Sequence, residues 1–332
     1  MLVRMYLAAQ VPNEECRHRL FNVRYDLKIR FLNDSDVDNV ANSLAPIRWP
    51  STVITPKSCQ IASKNRLLFM IIVHSSVTNF KQREAMRSTW SNETTRLNFR
   101  YVFSTGRSLN VSIQKALEQE AEKYGDILQS YGVDNYKLLP VKAYSWIKFV
   151  HESCSHLNPT YIVKIDDDVD VNLYGMQNFL DEFRHVPRSV YCSTFKHIAD
   201  RRPSSKYFLS TSEFPYRNLG IFCAGLAYTI TFDLIPEMYK NVKIKRFVWL
   251  DDWYVTHALL HNVDFAIFDT SDLYLVSEEK RDAYRQLRQV LTDERPTPIF
   301  SHLRPRTFFT ETKQQELWKR SQLCSNYSFL EI

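Results

Sequence analysis

A chain of 332 residues with 43 Lys and Arg against 37 Asp and Glu, a formal net charge of +6, has ample length for one large α/β domain or two smaller ones. Only 6 glycines are present, and none builds a Walker loop or a GxGxxG turn, so any nucleotide must be gripped by metal, Arg or Lys. The basic residues are dispersed in short clusters such as Arg201-Arg202, a pattern of solvated faces that argues against a nucleic-acid partner and fits a small anionic substrate.

Residues 1–60 are polar, irregular and punctuated by Pro12, Pro46, Pro50 and Pro56; they read as a stem-like lead-in to one domain over 61–332. From Arg66 onward, strand and helix patterns alternate. Residues 67–73 predict a buried strand and 80–90 an amphipathic helix, then 101–104 a strand and 112–123 a helix with Glu and Lys outward. Residues 135–154 predict a long helix that Pro140 either starts or splits, with Tyr136, Leu139 and Trp146 as its core. A third strand, 161–165, runs straight into Asp166. Such alternation predicts a parallel sheet flanked by helices. The second half is more mixed, with strands at 189–194 and 227–231 and a helix over 252–261.

Three adjacent carboxylates, Asp166, Asp167 and Asp168, repel one another and lose hydration where a buried strand ends. A cation between them relieves both costs, and the carboxyl end of a strand is where α/β proteins bind ligands. The spacing points to a divalent-metal site for a phosphorylated substrate. The alternation Asp166, Asp168, Asp170, Asn172 imitates a calcium loop, but Val171 and Gln177 stand where that loop needs Gly and Glu. A solvated acidic turn is the remaining alternative.

The 6 cysteines are widely spaced without a CxxC pair, which disfavours zinc and suits disulfides in a lumenal protein. Sequons at Asn33, Asn92, Asn110 and Asn326 point to the same compartment. The longest apolar run, 67–73, is far below the ~20 residues of a membrane span, and 1–11 is too short and broken for a signal peptide. Membrane association is therefore expected only through an anchor absent from this chain.

Five further segments carry chemistry. Arg83 and Arg87 lie one helical turn apart on one face, ahead of Thr89 and Trp90, and two such forks suit a diphosphate. Next come Tyr124 to Leu128, then Asp134, Tyr136, Leu139 and Lys142, then Trp146 and Cys154. Later segments are Glu213 to Tyr216 with Cys223, Gly225, Ala227 and Tyr228; Asp251-Asp252-Trp253-Tyr254; and Phe300 to Pro305 around His302, with Trp318. Together with Lys164 and the acid run, these segments resemble, in order and over roughly 66–318, the motifs of glycosyltransferase family 31. That family comprises the β-1,3-galactosyltransferases and β-1,3-N-acetylglucosaminyltransferases related to Fringe. Ala227 stands where the family usually has Gly; Trp253 and Thr256 stand where it has Val and Gly, and these two departures fall on what would be the acceptor side.

The resemblance implies a GT-A-type α/β fold with a mostly parallel central sheet. It implies inverting transfer of galactose or an N-acetylhexosamine from a UDP-sugar to a glycan hydroxyl in β-1,3 linkage, in the Golgi lumen. Within it, Asp168 and His302 would bind Mn²⁺, and Asp166 and Asp167 the ribose or metal-bound waters. Arg83, Arg87 and Lys142 would contact the nucleotide, Gly225 would let the backbone approach the donor sugar, and Asp252 would be the general base. The acceptor would be a glycan on protein or lipid. A catalytically degenerate UDP- or metal-binding member acting as a lectin-like or chaperone partner is the alternative reading.

Overall fold

The computed structural model describes residues 28–30, 52–60, 67–183, 186–291 and 298–303. In chain order the first elements are β1 (Lys28–Arg30), β2 (Thr52–Ile54), β3 (Phe69–His74), α1 (Phe80–Trp90), β4 (Phe99–Arg107), α2 (Val111–Tyr124) and β5 (Ile127–Val133). Then follow α3 (Leu139–Ser153), β6 (Tyr161–Asp166), β7 (Asp170–Val171), α4 (Leu173–Glu182), β8 (Ser189–Ile198) and β9 (Asn218–Thr231). The last are α5 (Ile235–Val242), α6 (Asp251–Thr256), β10 (Ala266–Asp269), β11 (Tyr274–Ser277), α7 (Lys280–Leu291) and β12 (Phe300–Leu303).

The described residues fall into two compact units. The larger, Leu27–Val169 with Leu180–Asp272, holds a 9-stranded sheet in the order β1-β10-β8-β9-β6-β3-β4-β5-β2. The smaller includes Asp170–Phe179 and Leu273 onward and holds a 3-stranded sheet, β11-β12-β7.

The α/β class expected from the pattern is what the structure shows. Its main parallel part is the block β6-β3-β4-β5, built from the alternating segments 67–166, and β10 pairs parallel with β8. Beyond β6 the pairing with β9, and of β9 with β8, is antiparallel. Every residue of β3 is buried, as are the first five of β6, because both faces of this block are covered.

Local chemistry fixes the helix ends. The Asn110 side chain accepts from the N–H groups of Ser112 (2.9 Å) and Ile113 (3.3 Å), capping α2, and Gly125 closes it at φ 68. The long helix expected over 135–154 is two pieces: a 3₁₀ turn, Tyr136–Leu138, then α3 with Pro140 in its first turn. Pro140 has no N–H to donate back, so it fits only where the new helix begins. Of the side chains predicted for its core, Trp146 is buried, but Tyr136 is 42% exposed because the 3₁₀ turn points it outward.

Two described pieces of the expected stem are edge strands instead: β1 pairs with β10 and β2 with β5. Cys59 is bonded to Cys154, tying the residues after β2 to the end of α3, and Cys192 to Cys223, tying β8 to β9. Cys16, Cys324 and the sequons at Asn33 and Asn326 lie outside the described residues. The strand expected at 227–231 is the end of a 14-residue β9, and the helix expected over 252–261 is α6 followed by a 3₁₀ turn, Ala258–Leu260. Among the described residues no helix is long and apolar enough to cross a membrane.

Candidate active site

The order of strands turns at β3: the chain runs β3, β4, β5 one way and returns to place β6 on the other side. Helices leave such a switch point in opposite directions and open a crevice at the carboxyl ends of the two strands. Here those ends are His74 and Asp166, in direct register. Asp166, Asp167 and Asp168 follow, all half-buried.

Asp166 is held from below. The buried Lys164 ammonium donates to its Oδ1 (2.6 Å) and to the Gly225 carbonyl. Asp167 is held from the side, its Oδ2 accepting from Ser75 Oγ (2.7 Å) and Asn79 Nδ2 (2.8 Å). Both donors lie in the 75–79 loop between β3 and α1.

That loop explains the three basic residues expected to grip a nucleotide. Arg83 is fully buried; it forks onto Glu120 (2.9 and 2.7 Å) and donates to Ser75 Oγ (2.9 Å) and the Ser76 carbonyl (2.6 Å). Arg87 forks onto Asp126 (2.8 Å twice) and reaches Glu120 (2.7 Å). Lys142 pairs with Asp134 (2.5 Å) and donates to the Ser75 carbonyl (3.0 Å), while Asp134 accepts from Val77 N–H (2.6 Å). The expected phosphate clamp is therefore an internal brace in this structure. A buried guanidinium without a carboxylate would be uncompensated charge, so the fork goes to Glu120 and Asp126. Arg83 acts on the site through Ser75, which relays it to Asp167, while Arg87 shares Glu120 with it.

On the other side of Asp166 stands α6. Asp252 accepts its neighbour Trp253 N–H on Oδ1 (2.9 Å), leaving Oδ2 open. A side chain on Gly225 would meet the Asp252 Cβ and Oδ2 at 3.3 Å, so the absent Cβ is what lets β9 pass against the carboxylate. Gly225 thereby lies between both acids, its carbonyl linked through Lys164 to Asp166 and its missing Cβ facing Asp252. Burial, opposed by the Trp253 N–H and Lys164 and reinforced by Asp166, holds the Asp252 carboxyl above its ordinary pKa.

Asp251 is more enclosed still. Burial, partly offset by Lys164, pushes its pKa to about 7, and its Oδ1 has no hydrogen-bond partner. Its Oδ2 is 3.6 Å from His74 Nδ1, too long for a hydrogen bond. Burial, then the Lys164 and Lys142 charges, drive the His74 pKa well down, so the contact is between a neutral imidazole and the carboxyl rather than an ion pair. Tyr228 completes the group, a fully buried phenol whose hydroxyl is also unpartnered. Sequence reasoning passed over His74, Ser75, Asn79 and Asp251 as site residues. Only Asp251 carried a signal, as the other member of the Asp251-Asp252 pair.

The departures at 253 and 256 do not enter the crevice. Trp253 is 1% exposed, donates its indole N–H to the Leu219 carbonyl (2.7 Å) and packs against Phe214 and His257. Thr256 donates to the Asp252 carbonyl (2.6 Å) and accepts from Cys223 N–H (3.0 Å), fastening α6 to β9. Ala227 is buried opposite Ile165 in the β6–β9 ladder.

The family model described as Galactosyltransferase matches residues 81–271 of this chain. The chain belongs to that family. Human beta-1,3-galactosyltransferase 5 is 27% identical over 191 residues, covering 56% of this chain and 60% of that protein. Human beta-1,3-galactosyltransferase 2 is 29% identical over 208 residues, 60% of this chain and 48% of the relative. Lactosylceramide 1,3-N-acetyl-beta-D-glucosaminyltransferase A of Danio rerio is 25% identical over 237 residues, 67% and 62%. The chain thus spans between about half and three fifths of the length of these curated relatives.

The galactosyltransferase match takes in the brace, the acid run and α6, and it ends before His302. His302 lies on β12 of the smaller unit, backbone-registered with Val276 of β11, whereas Asp168 belongs to the larger unit. Among the described residues no group of three or more His, Cys, Asp and Glu is arranged as a ready-made metal cage. The carboxylates at the end of β6 nonetheless fit a hard divalent ion of the kind that takes one or two protein carboxylates and completes its shell with phosphate and water.

Proposed function

We propose that this galactosyltransferase-family protein moves galactose or an N-acetylhexosamine from a UDP-sugar to a glycan hydroxyl, with inversion to a β-1,3 linkage. One observation carries the reading. Gly225 joins an acid run at a switch-point strand end to a second carboxylate, Asp252, which is desolvated and has one oxygen open. The first acids suit the charged leaving group, and the second suits a proton acceptor.

Mn²⁺ held by Asp168, with His302 as the further ligand that the family resemblance implies, would supply Lewis-acid stabilisation of the departing UDP. The chain's own residues do the rest. Ser75 and Asn79 fix Asp167, and Lys164 fixes Asp166, so the donor's binding edge is set before substrate arrives. Asp252 Oδ2 takes the acceptor hydroxyl proton as oxygen attacks the anomeric carbon, and its desolvation makes it the stronger base. One in-line displacement converts an α-linked donor into a β-linked product. Golgi residence, in line with the disulfides, belongs to the same proposal.

The test is UDP release by the purified protein with a panel of UDP-sugars and acceptors, with and without Mn²⁺, beside Asp168→Ala and Asp252→Asn. Metal-dependent, acceptor-stimulated release lost in both variants is the expected result. Metal-dependent UDP binding with no turnover under any pairing would sink it.

A further inference from the structure

Tyr136 belongs neither to the helix core nor to the brace. Its 3₁₀ turn is fixed at one end by Asp134, bound to Lys142 and Val77 N–H, and within by Asn135 Oδ1, which accepts from Lys137 N–H (2.9 Å). The outward ring is thus rigidly presented. It meets Trp249 at a centroid distance of 6.0 Å, and Trp249 is three residues before Asp252. Tyr207, 53% exposed, adds a second open ring. The Lys206 ammonium lies 4.4 Å from the Tyr136 centroid and 5.5 Å from that of Tyr207, and the Lys137 ammonium 5.1 Å from Trp249.

Three features make this cluster unlike an ordinary surface. The Tyr136 and Tyr207 rings are exposed, and Tyr136 is backed by the buried Trp249, the form in which proteins offer apolar area to the C–H face of a ligand at small entropic cost. Neither Lys137 nor Lys206 lies within ion-pair distance of a carboxylate among the described residues, unlike Lys142 and Lys164. The buried Trp249 indole N–H has no acceptor. Through Trp249, two residues ahead of α6, the cluster adjoins the helix that carries Asp252; burial first, then the charges of Tyr207, Asp252, Asp166 and Asp251, hold the Tyr136 phenol above its ordinary pKa.

We propose that the exposed rings of Tyr136 and Tyr207, with Trp249 behind Tyr136 and the ammonium groups of Lys137 and Lys206, form a subsite for a glycan that carries a carboxylate or sulfate group. The rings take the C–H face of a sugar, and the ammonium groups take its anionic substituent as charge-assisted hydrogen-bond donors. In a single displacement the acceptor hydroxyl must lie at the base, so a ring seated beside Asp252 belongs to the acceptor rather than to the donor diphosphate. The acceptor assignment rests on the transferase reading; the glycan affinity does not.

The test separates the two. Donor-free binding of neutral disaccharides and of their sulfated and uronic-acid forms is measured by calorimetry, for wild type, Tyr136→Ala and the double variant Lys137→Gln/Lys206→Gln. These residues are exposed or capped by their own turn, and melting curves check that the fold is kept. Acidic sugars should bind roughly fivefold more tightly than neutral ones, the scale of one exposed ion pair. The double lysine variant should erase that ratio and leave neutral binding unchanged, whereas Tyr136→Ala should weaken both classes. A ratio unchanged in the double variant, no sugar binding at all, or a lysine effect confined to UDP affinity would overturn the proposal, the last assigning the lysines to the donor. Acid-selective binding without UDP release would support the subsite while removing the transferase reading. UDP release with no charge preference would do the reverse.

Discussion

Two sets of charges flank the acid run, and they differ in how completely they are satisfied. Around the 75–79 loop, Arg83, Arg87 and Lys142 are matched by Glu120, Asp126 and Asp134 at hydrogen-bond distance. Around α6, Asp251 has an oxygen without a partner, Asp252 has one open oxygen, and His74 and Tyr228 are buried with bare polar atoms. Buried polar groups are ordinarily paired, because leaving one bare costs about 1–3 kcal/mol. The matched set therefore reads as scaffold and the bare set as the place where chemistry and ligands arrive. Of the basic residues read as a phosphate clamp, Arg83 and Lys142 hold the loop that holds Asp167.

The comparison breaks most visibly at Asp252. Asp252→Asn keeps the Trp253 N–H contact and the helix start but removes the proposed base, so kcat for the proposed transfer should fall by roughly 10²–10⁴ with melting temperature nearly unchanged. A fall of only a few fold in UDP release would move the base elsewhere. On the matched side, Arg87→Met leaves Asp126 buried without its partner and Glu120 with Arg83 alone, and should cost about 3–5 kcal/mol in urea denaturation. Were stability instead preserved and the apparent KM for donor raised, Arg87 would be a ligand contact after all.

Legibility followed the range of the interactions. The segments 67–166 were readable because their apolar periods are local, and Pro140 marked a helix start by its own covalent geometry. Helix α1 was read to its exact bounds, Phe80–Trp90. The long β9 was half hidden, since its first residues, Asn218 to Gly220, carry no strand pattern and gain their conformation by pairing with β8. At the site, the acids announced themselves as a run, and Gly225 and Asp252 came from the family's motif order. The fate of Arg83 and Arg87 was not readable: their partners lie 37 and 39 residues downstream, and nothing local chooses between a carboxylate and a phosphate. His74 gave no signal either, because its role comes from register with Asp166 across two strands.

Asp251 sharpens the bare side through pH. Its carboxyl is lifted from 3.8 to about 7 by burial, so the folded protein keeps a proton there that the unfolded chain has released. Its contribution to stability is whole below about pH 4 and is lost as pH climbs towards 7, to a limit of about 4 kcal/mol. Asp251→Asn, which cannot ionise, should flatten that part of the stability–pH curve measured by chemical denaturation. An unchanged slope between pH 4 and pH 7 would mean that Asp251 ionises freely in the fold. Transfer should show the opposite sign, rising with pH as Asp252 releases its proton.

The smallest effect concerns Thr256, which stands where the family pattern has glycine. Its hydroxyl closes a link from the Asp252 carbonyl to the Cys223 N–H, so it connects the helix carrying Asp252 to the strand carrying Gly225. Thr256→Val keeps the shape and removes the link, stranding a buried N–H at a cost of about 1–3 kcal/mol. Because a Cβ at Gly225 would come within 3.3 Å of the Asp252 carboxylate, the strand passes close to α6 there, and that link helps to keep the carboxylate at its distance. Thr256→Val should therefore lose stability and lower kcat several fold with acceptor KM little changed. A stability loss with kcat intact would show that the rest of α6, through the Trp253 bond to Leu219, suffices to place the base.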